Sequence, residues 1–464
     1  MKFSLRNLSL ISILVLIFLS CKKESFTNNR DAILRTDVDT LHFDTVFTTT
    51  GSTSQVFKIF NTNNKGIKLN SVRLAGGGAS PFHINVDGTT GPEANNIEIA
   101  AGDSAYVFVT LKIDPSATPL PFLVQDSVEL SYNGNTSWVQ LDGYGRNAHF
   151  LRNTNITANT TWTNDLPYVI LEKLTVSTGI TLSILEGCQV FMHANAPFIV
   201  NGTLKVNGDK YDSTRVIFTG DRLDAPYRDF PASFPGLIFT ETSTNNIINY
   251  GIIKNAYQGI VAVETNGSTK LTLNETIIDN AYDAGIFGIH TSIKAHNLLI
   301  SNCGKNILLV NGGTYNFTHC TVASYSNNFI QHKEPLAILT DYLKENNSLT
   351  IQSLNAQFTN CIFWAQSGGL VKNEILIDKQ GSNATVNFEN VLCPSVPSNA
   401  TVSGNVIHDD PLFENISVSD NLYNFRLKEN SPAINKGSDA GVSNDLDGKP
   451  RPVGLPDLGA YEKQ

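Results

Sequence analysis

INYGIIKN (248–255), LNETIIDN (273–280) and AHNLLISN (295–302) are three versions of one line. The chain writes it again as FTHCTVAS (317–324), FTNCIFWA (358–365) and FENVLCPS (388–395). Tyr250, Glu275, Asn297, His319, Asn360 and Asn390 fall in one column, with two consecutive intervals of 22 residues and insertions in the longer ones. A period of that size marks a solenoid. It is too short for paired helices, and its Ile, Leu, Val, Thr and Phe are strand formers. Each repeat therefore reads as one turn of a right-handed parallel β-helix. One turn cannot bury its inward face alone, so neighbours stack into a continuous core. On this reading Ile252, Ile277, Leu299, Thr321, Ile362 and Leu392 superpose as an inward column with a step of about 4.8 Å. Asn280 and Asn302 stand at a turn, where Asn tolerates left-handed backbone and can ladder its amides. Residues 149–425 would make on the order of twelve turns, in a rod about 55 Å long.

Upstream the pattern differs. VFKIFN (56–61), IKLNSVRL (67–74), FHINV (82–86), IEIA (97–100), YVFVTLKI (106–113), SVELSY (127–132) and WVQLDG (138–143) alternate apolar and polar residues. Turn residues such as Asn63-Asn64-Lys65-Gly66 and Asn133-Gly134-Asn135 separate them. Short strands at this spacing predict a β-sandwich over residues 37–148. The stretches FKIFNTNNKGIKLNSV, IAAGDSAYVFVTLKIDP and LDGYG resemble the immunoglobulin-like domains related to pilus chaperones. Such domains bind or space, and no catalytic constellation stands in this one.

The whole chain is therefore expected to be all-β, an immunoglobulin-like sandwich followed by a pectin-lyase-like solenoid. Of its 464 residues, 41% are hydrophobic and 16% charged, with a net charge of −9. That acidic balance argues against nucleic acid, whose phosphates demand a basic patch. Lys2 and Arg6 precede an apolar run from Leu8 to Leu19, the length of a signal-peptide core and short for a membrane span. Phe18-Leu19-Ser20-Cys21 resembles the lipobox of bacterial lipoproteins. The resemblance implies a signal peptide over 1–20, lipid on Cys21 and anchoring to a membrane through several acyl chains. The alternative is an ordinary secretory signal cut near Ser20. Residues 21–36 are polar and read as a flexible tether. Lys22-Lys23-Glu24 matches in part the signal that sends Bacteroidota lipoproteins to the cell surface, so either face of the outer membrane is compatible.

Residues 149–464 are similar to the β-helix lipoproteins of Bacteroidota through NTTWTNDLPYVI (159–170), LEGCQVFMHANAPFIVNGTLKVNG (185–208) and HDDPLFEN (408–415). Ser431-Pro432-Ala433, Gly437, Asp447-Gly448-Lys449-Pro450-Arg451 and Asp457-Leu458-Gly459-Ala460-Tyr461-Glu462 resemble the ending of the family called choice-of-anchor Q. A stacked solenoid ends in an open edge that invites aggregation. Residues 426–464 are therefore expected to cap that edge, with Arg451 a structural partner of Asp457 or Glu462.

β-Helices include polysaccharide lyases and glycoside hydrolases, so residues fit for such chemistry matter. Asp221, Arg222, Arg228 and Asp229 crowd the loop 220–230, where an Arg among carboxylates could clamp a sugar acid or simply pair within the loop. Asp279 and Asp283 share a turn and could meet Asp409 or Asp410. Phe287-Gly288-Ile289-His290 is the nearest match to the hydrolases' His element. Trp162, Trp364, Tyr282 and Tyr325 could stack sugars or pack in the core. Asp445-Leu446-Asp447-Gly448 supplies two carboxylates where a calcium loop needs six or more oxygens, so no cofactor is expected. Cys188, Cys303, Cys320, Cys361 and Cys393 lack zinc spacing and read as buried thiols. Asp-Ser/Thr-apolar triplets at Thr40, Thr45, Ser104, Ser127 and Ser213 look like the O-glycosylation sites of periplasmic Bacteroidota proteins. The expected function is a non-catalytic envelope scaffold binding glycan or a surface protein. The alternative is a lyase or hydrolase acting on acidic glycans.

Overall fold

Alternation, broken here and there by a bulge, builds the first unit. In the computed structural model, which describes residues 25–115, 121–264, 269–346, 348–366 and 368–464, the chain divides at Asn147/Ala148. Two five-stranded, mainly antiparallel sheets make the first unit. The strand Ile67–Leu74 shows why: Ile67, Leu69, Val72 and Leu74 are buried, and Lys68, Asn70 and Arg73 face solvent. Phe57, Ile59, Val107, Val109, Val128 and Leu141 fill the space between the sheets. Residues 25–36 are bound to this unit and do not form a free tether. Ala32 and Leu34 enter its core, and Arg35–Thr36 pairs with Ile59 and Phe60.

The second unit is a parallel β-helix. One 25-stranded sheet runs from His149–Leu151 to Thr401–Ile407, each strand pairing with its counterpart one rung on. Trp162, Ile184, Val206, Ile248, Leu273, Ala295, Phe317, Phe358, Phe388 and Val402 succeed one another in register, which makes ten rungs where twelve were expected. The shortfall lies in the side excursions after Val206 and Phe317, and in an end at Ile407 that precedes the expected 425. Inside, Phe358 stacks on Phe317 and Phe388 at 5.2 and 5.1 Å, nearly parallel. All five cysteines of the rungs are free and buried, as the sequence suggests.

The repeat column is a column of left-handed corners. Tyr250, Glu275, Asn297, His319, Asn360 and Asn390 all have φ between 45° and 56°. The corner N–H of each of the first four is donated to a carbonyl of the next rung, as from Glu275 to His296 and from His319 to Thr359. Side chains ladder too: Asn390 Nδ2 donates to Asn360 Oδ1 (3.2 Å) and Asn297 Nδ2 to Glu275 Oε1 (2.9 Å). A second left-handed column, Asn255, Asn280 and Asn302, closes the short strands at their other end, and Asn280 Nδ2 donates to Asn255 Oδ1 at 2.9 Å.

Two expectations need correction. Ile252, Ile277, Leu299, Thr321, Ile362 and Leu392 do superpose in register. They face outward, however; Ile253, Ile278, Ile300, Val322 and Phe363 are the inward neighbours. Short strands between two corners are apolar on both faces, so alternation cannot tell in from out. Nor do the last residues plug the end of the stack. Residues 408–464 form a strap along the flank, where Phe413, Phe425, Leu427, Leu446, Leu458 and Ala460 cover the outward column. The strap grips the corners: Arg215 donates to Leu446 O (2.6 Å), Asn297 to Asn444 O (2.6 Å) and Asn360 to Ser438 O (2.7 Å), and Gly459 N donates to Asn360 O (2.8 Å). The final strand Thr401–Ile407 pairs on one side only and stays exposed.

Within the strap lies a buried ion pair. Arg451 is bonded to Glu462 at 3.1 Å, and both side chains are fully covered. Asp457 meets Arg451 through its backbone carbonyl. Glu462 also accepts the N–H groups of Val453 and Asp457. Removing one partner of such a pair strands a buried charge. Arg451→Met is expected to lose about 3–5 kcal/mol of solenoid stability, read by urea unfolding through the near-ultraviolet signal of its tryptophans. Arg222→Met, which breaks a surface pair, should stay within about 1 kcal/mol of the parent.

Candidate functional site

The residues singled out as catalytic candidates pair with their own neighbours. Arg222 makes two bonds to Asp224, each 2.7 Å, and lies 4.0 Å over the Tyr227 ring. Asp221 is bonded to His193 at 2.7 Å, and burial pushes its carboxyl above the ordinary range. Arg228 and Asp229 stand 3.6 Å apart, and their carbonyls accept the amides of Asn255 and Asn280. The loop is thus an internally paired insert tied to the second Asn column. Asp279 accepts Ser301 Oγ, Asp283 accepts Gln258 and Lys305, and Asp410 caps Leu412 N, each with its own partners. His290 occupies a left-handed corner at φ 45° and meets Asn311 O.

Asp445 accepts the N–H groups of Asp447, Lys449 and Glu462, and Asp447 takes two bonds from Arg426. Among the described residues no three His, Cys, Asp or Glu side chains are placed to hold a metal ion. Of the glycosylation candidates, Ser213 is exposed on a turn, whereas Thr40, Thr45, Ser104 and Ser127 are half-buried in strands of the sandwich. Cys21 lies outside the described residues.

A groove of about 650 Å³ runs between one polar sheet face and the strap segment Ala440–Asn444. Its floor comes from successive rungs. Asn274, His296 and Thr318 form one outward row; Thr272, Lys294 and Asn316 form the next. The corner geometry sets its centre. Glu275, held at φ 45°, places Oε1 3.1 Å from His296 Nδ1 and 2.9 Å from Asn297 Nδ2. The carboxylate is nearly covered and the imidazole about one-third exposed. Burial, aided by the Glu275 charge, pushes the Tyr250 hydroxyl up to about 12, so it remains a donor at neutral pH. Lys294 is exposed in the groove. Glu275 is the single carboxylate among the described lining residues, and the facing wall of Ala440-Gly441-Val442-Ser443-Asn444 offers no acid. Such a strip offers hydrogen bonds at rung spacing, an ammonium and one carboxylate–imidazole couple. Sequence reading placed Glu275 only in the repeat column and missed His296 and Lys294. The signal was that LNE and AHN occupy equal places in consecutive repeats.

No family model matches the chain, and no curated protein matches it. Among solved structures, the catalytic domain of a family 87 α-1,3-glucanase in complex with tetrasaccharides is 12% identical, with 75% of this chain and 76% of that one covered and a TM-score of 0.22. A PapD-like domain of human CEP192 is 9% identical over 27% of this chain and 92% of its own (TM-score 0.18). A family 123 glycoside hydrolase from Clostridium perfringens is 12% identical over 24% of this chain and 26% of its own (TM-score 0.19). At these scores the likenesses carry nothing about activity.

The corner under the groove also sets a pH dependence. His319 is buried, and burial together with the Arg451 guanidinium holds its imidazole down to about 3. The unfolded imidazole titrates near 6.5. Below that value the unfolded chain takes up a proton that the folded chain refuses, so stability falls as pH falls. The melting temperature should drop between pH 7.5 and 5.5, and the drop should shrink in His319→Asn, which keeps a residue suited to the corner.

Proposed function

We propose that this chain is a lipid-anchored protein of the bacterial envelope that holds an acidic glycan in the groove beside the strap without cleaving it. One observation carries the reading: polar side chains repeat at rung spacing along the floor, with Lys294 and His296 among them and Glu275 as the single acid. Sugar chains present hydroxyls at comparable intervals, and an ammonium beside an imidazole suits a uronate or sulfate. Glycoside hydrolysis ordinarily takes two carboxylates flanking the bond, and this groove supplies one. The anchor rests on Lys2, Arg6, the apolar run and Phe18-Leu19-Ser20-Cys21.

The second reading is a lyase or hydrolase. It rests on the Glu275–His296 couple in this groove, a pairing that can move a proton.

Purified protein incubated with pectin, alginate, heparin or chondroitin should be retarded by at least one of them in affinity electrophoresis. It should release no unsaturated products and no new reducing ends, with or without calcium. Lys294→Ala with His296→Ala should abolish the retardation. Cleavage lost in Glu275→Gln would establish the enzyme reading instead. Retention by none of the four polymers would remove the groove's assignment.

The anchor has its own experiment. Cys21→Ala should turn a detergent-extracted membrane protein into one released by salt wash after export. A mutant that still sediments with outer membrane would contradict lipidation at that cysteine.

A further inference from the structure

The four aromatics with sugar-stacking potential separate cleanly. Trp162 is buried and stacked on Tyr168 at 4.1 Å, and Tyr325 is covered by the strap, against which Trp364 also packs. Tyr282 is 54% exposed, and its ring stacks on that of Tyr257, itself 46% exposed, with centroids 5.9 Å apart and planes 26° from parallel. The two occupy equivalent places on consecutive rungs, each two residues past a left-handed Asn: Asn255-Ala256-Tyr257 and Asn280-Ala281-Tyr282. The next rung reads Asn302-Cys303-Gly304. There a side chain is sterically excluded, because a Cβ on Gly304 would fall 2.3 Å from the Tyr282 carbonyl oxygen. The backbone thus stops the aromatic stack after two rings, and among the described residues no third ring stacks on Tyr282.

Beside this shelf runs a second series of polar groups. Gln258 Nε2 donates to Asp283 Oδ2 at 2.7 Å, and Lys305 Nζ meets Asp283 Oδ1 at 3.2 Å. These three residues again come from consecutive rungs, and the Asp283–Lys305 pair is electrically neutral and partly exposed.

We infer that Tyr282 and Tyr257, with Gln258, Asp283 and Lys305, form a binding shelf for a neutral hexopyranose unit of a glycan. The apolar C–H face of the sugar continues the ring stack over the place that Gly304 leaves bare. Its edge hydroxyls reach the amide, carboxylate and ammonium, which are already held in place by one another. A compensated pair favours neutral hydroxyls over a charged sugar, in contrast to the groove, where Lys294 faces solvent. The shelf lies past the Asn280 corner and the groove at the Glu275 corner, so the two subsites are built from different residues.

The test is affinity electrophoresis of the full chain through gels holding laminarin, xyloglucan or dextran, with binding confirmed by calorimetry. The parent should be retarded by at least one of these neutral polymers. Tyr282→Ala should weaken binding about tenfold, the scale of one aromatic contact, while Tyr282→Phe, which keeps the ring face, should retain it. Unchanged melting temperatures would show that these exposed substitutions leave the fold intact. Lys294→Ala with His296→Ala should leave retardation by neutral polymers untouched, so failure of the shelf and failure of the groove are separable. Indifference of all three neutral polymers, or binding unaffected by Tyr282→Ala, overturns the proposal. Capture of a proline-rich peptide lost in Tyr282→Ala, without any polysaccharide binding, would assign the shelf to a protein partner and overturn it too.

Discussion

Six successive rungs of the solenoid, from Tyr250 to Asn390, turn at a residue held in left-handed backbone, and much of the second unit depends on that repeated corner. A non-glycine residue there costs roughly 1–2 kcal/mol in an isolated chain. Stacking offsets the cost, because a corner N–H can be donated to the rung above, as at Tyr250, Glu275, Asn297 and His319. Asn is the side chain most at ease in that conformation, and it holds three of the six places. The other three have partners of their own. Tyr250 lies under the Arg215 guanidinium, Glu275 accepts from Asn297, and His319 meets Asn360 and the strap. Strands between two such corners are only three to five residues long. They cannot bury enough surface singly, so the rungs are stable only as a stack.

The corner column also explains where the strap and the groove lie. The strap needs carbonyls and amides that point sideways, and the corners supply them at Asn297, His319 and Asn360. It needs an apolar strip to cover, and the outward faces of Leu299, Ile362 and Leu392 supply that. Where the strap rises from the corners at Ala440–Asn444 it becomes a wall, and the polar sheet before the corner becomes the floor. Glu275 and His296 meet because register brings consecutive rungs together, with the corner aiming the carboxylate.

How much of this was legible follows from the kind of signal each feature leaves. Period and register were readable, since Ile277, Leu299 and Thr321 recur at one interval and do superpose. Their direction was not. Ile277 and Ile278 are both apolar, so parity carried no information until the strap supplied a second apolar environment. The partnership of Arg451 with Glu462 was foreseen as one of two choices. The groove was not, because no local motif joins Glu275 to His296 or either to the distant Ser443-Asn444. The charged loop 220–230 attracted attention by density alone, and its charges turned out to neutralise one another. Density of charge shows that a loop is polar, whereas a site depends on which groups are left unpaired.

The strap's position in the chain has a consequence for the order of events during folding. The rungs can wind one on another as they emerge, since each needs only its predecessor. The outward apolar column cannot be covered until much later. Leu446 closes on Arg215 across 231 residues, and Asn444 on Asn297 across 147. Through that interval the half-made solenoid shows a greasy strip to chaperones and proteases, the situation in which large proteins are most prone to aggregate. Arrival of the strap ends it. A chain interrupted before Phe413 keeps the whole strip bare, and one interrupted before Leu446 leaves part of it uncovered.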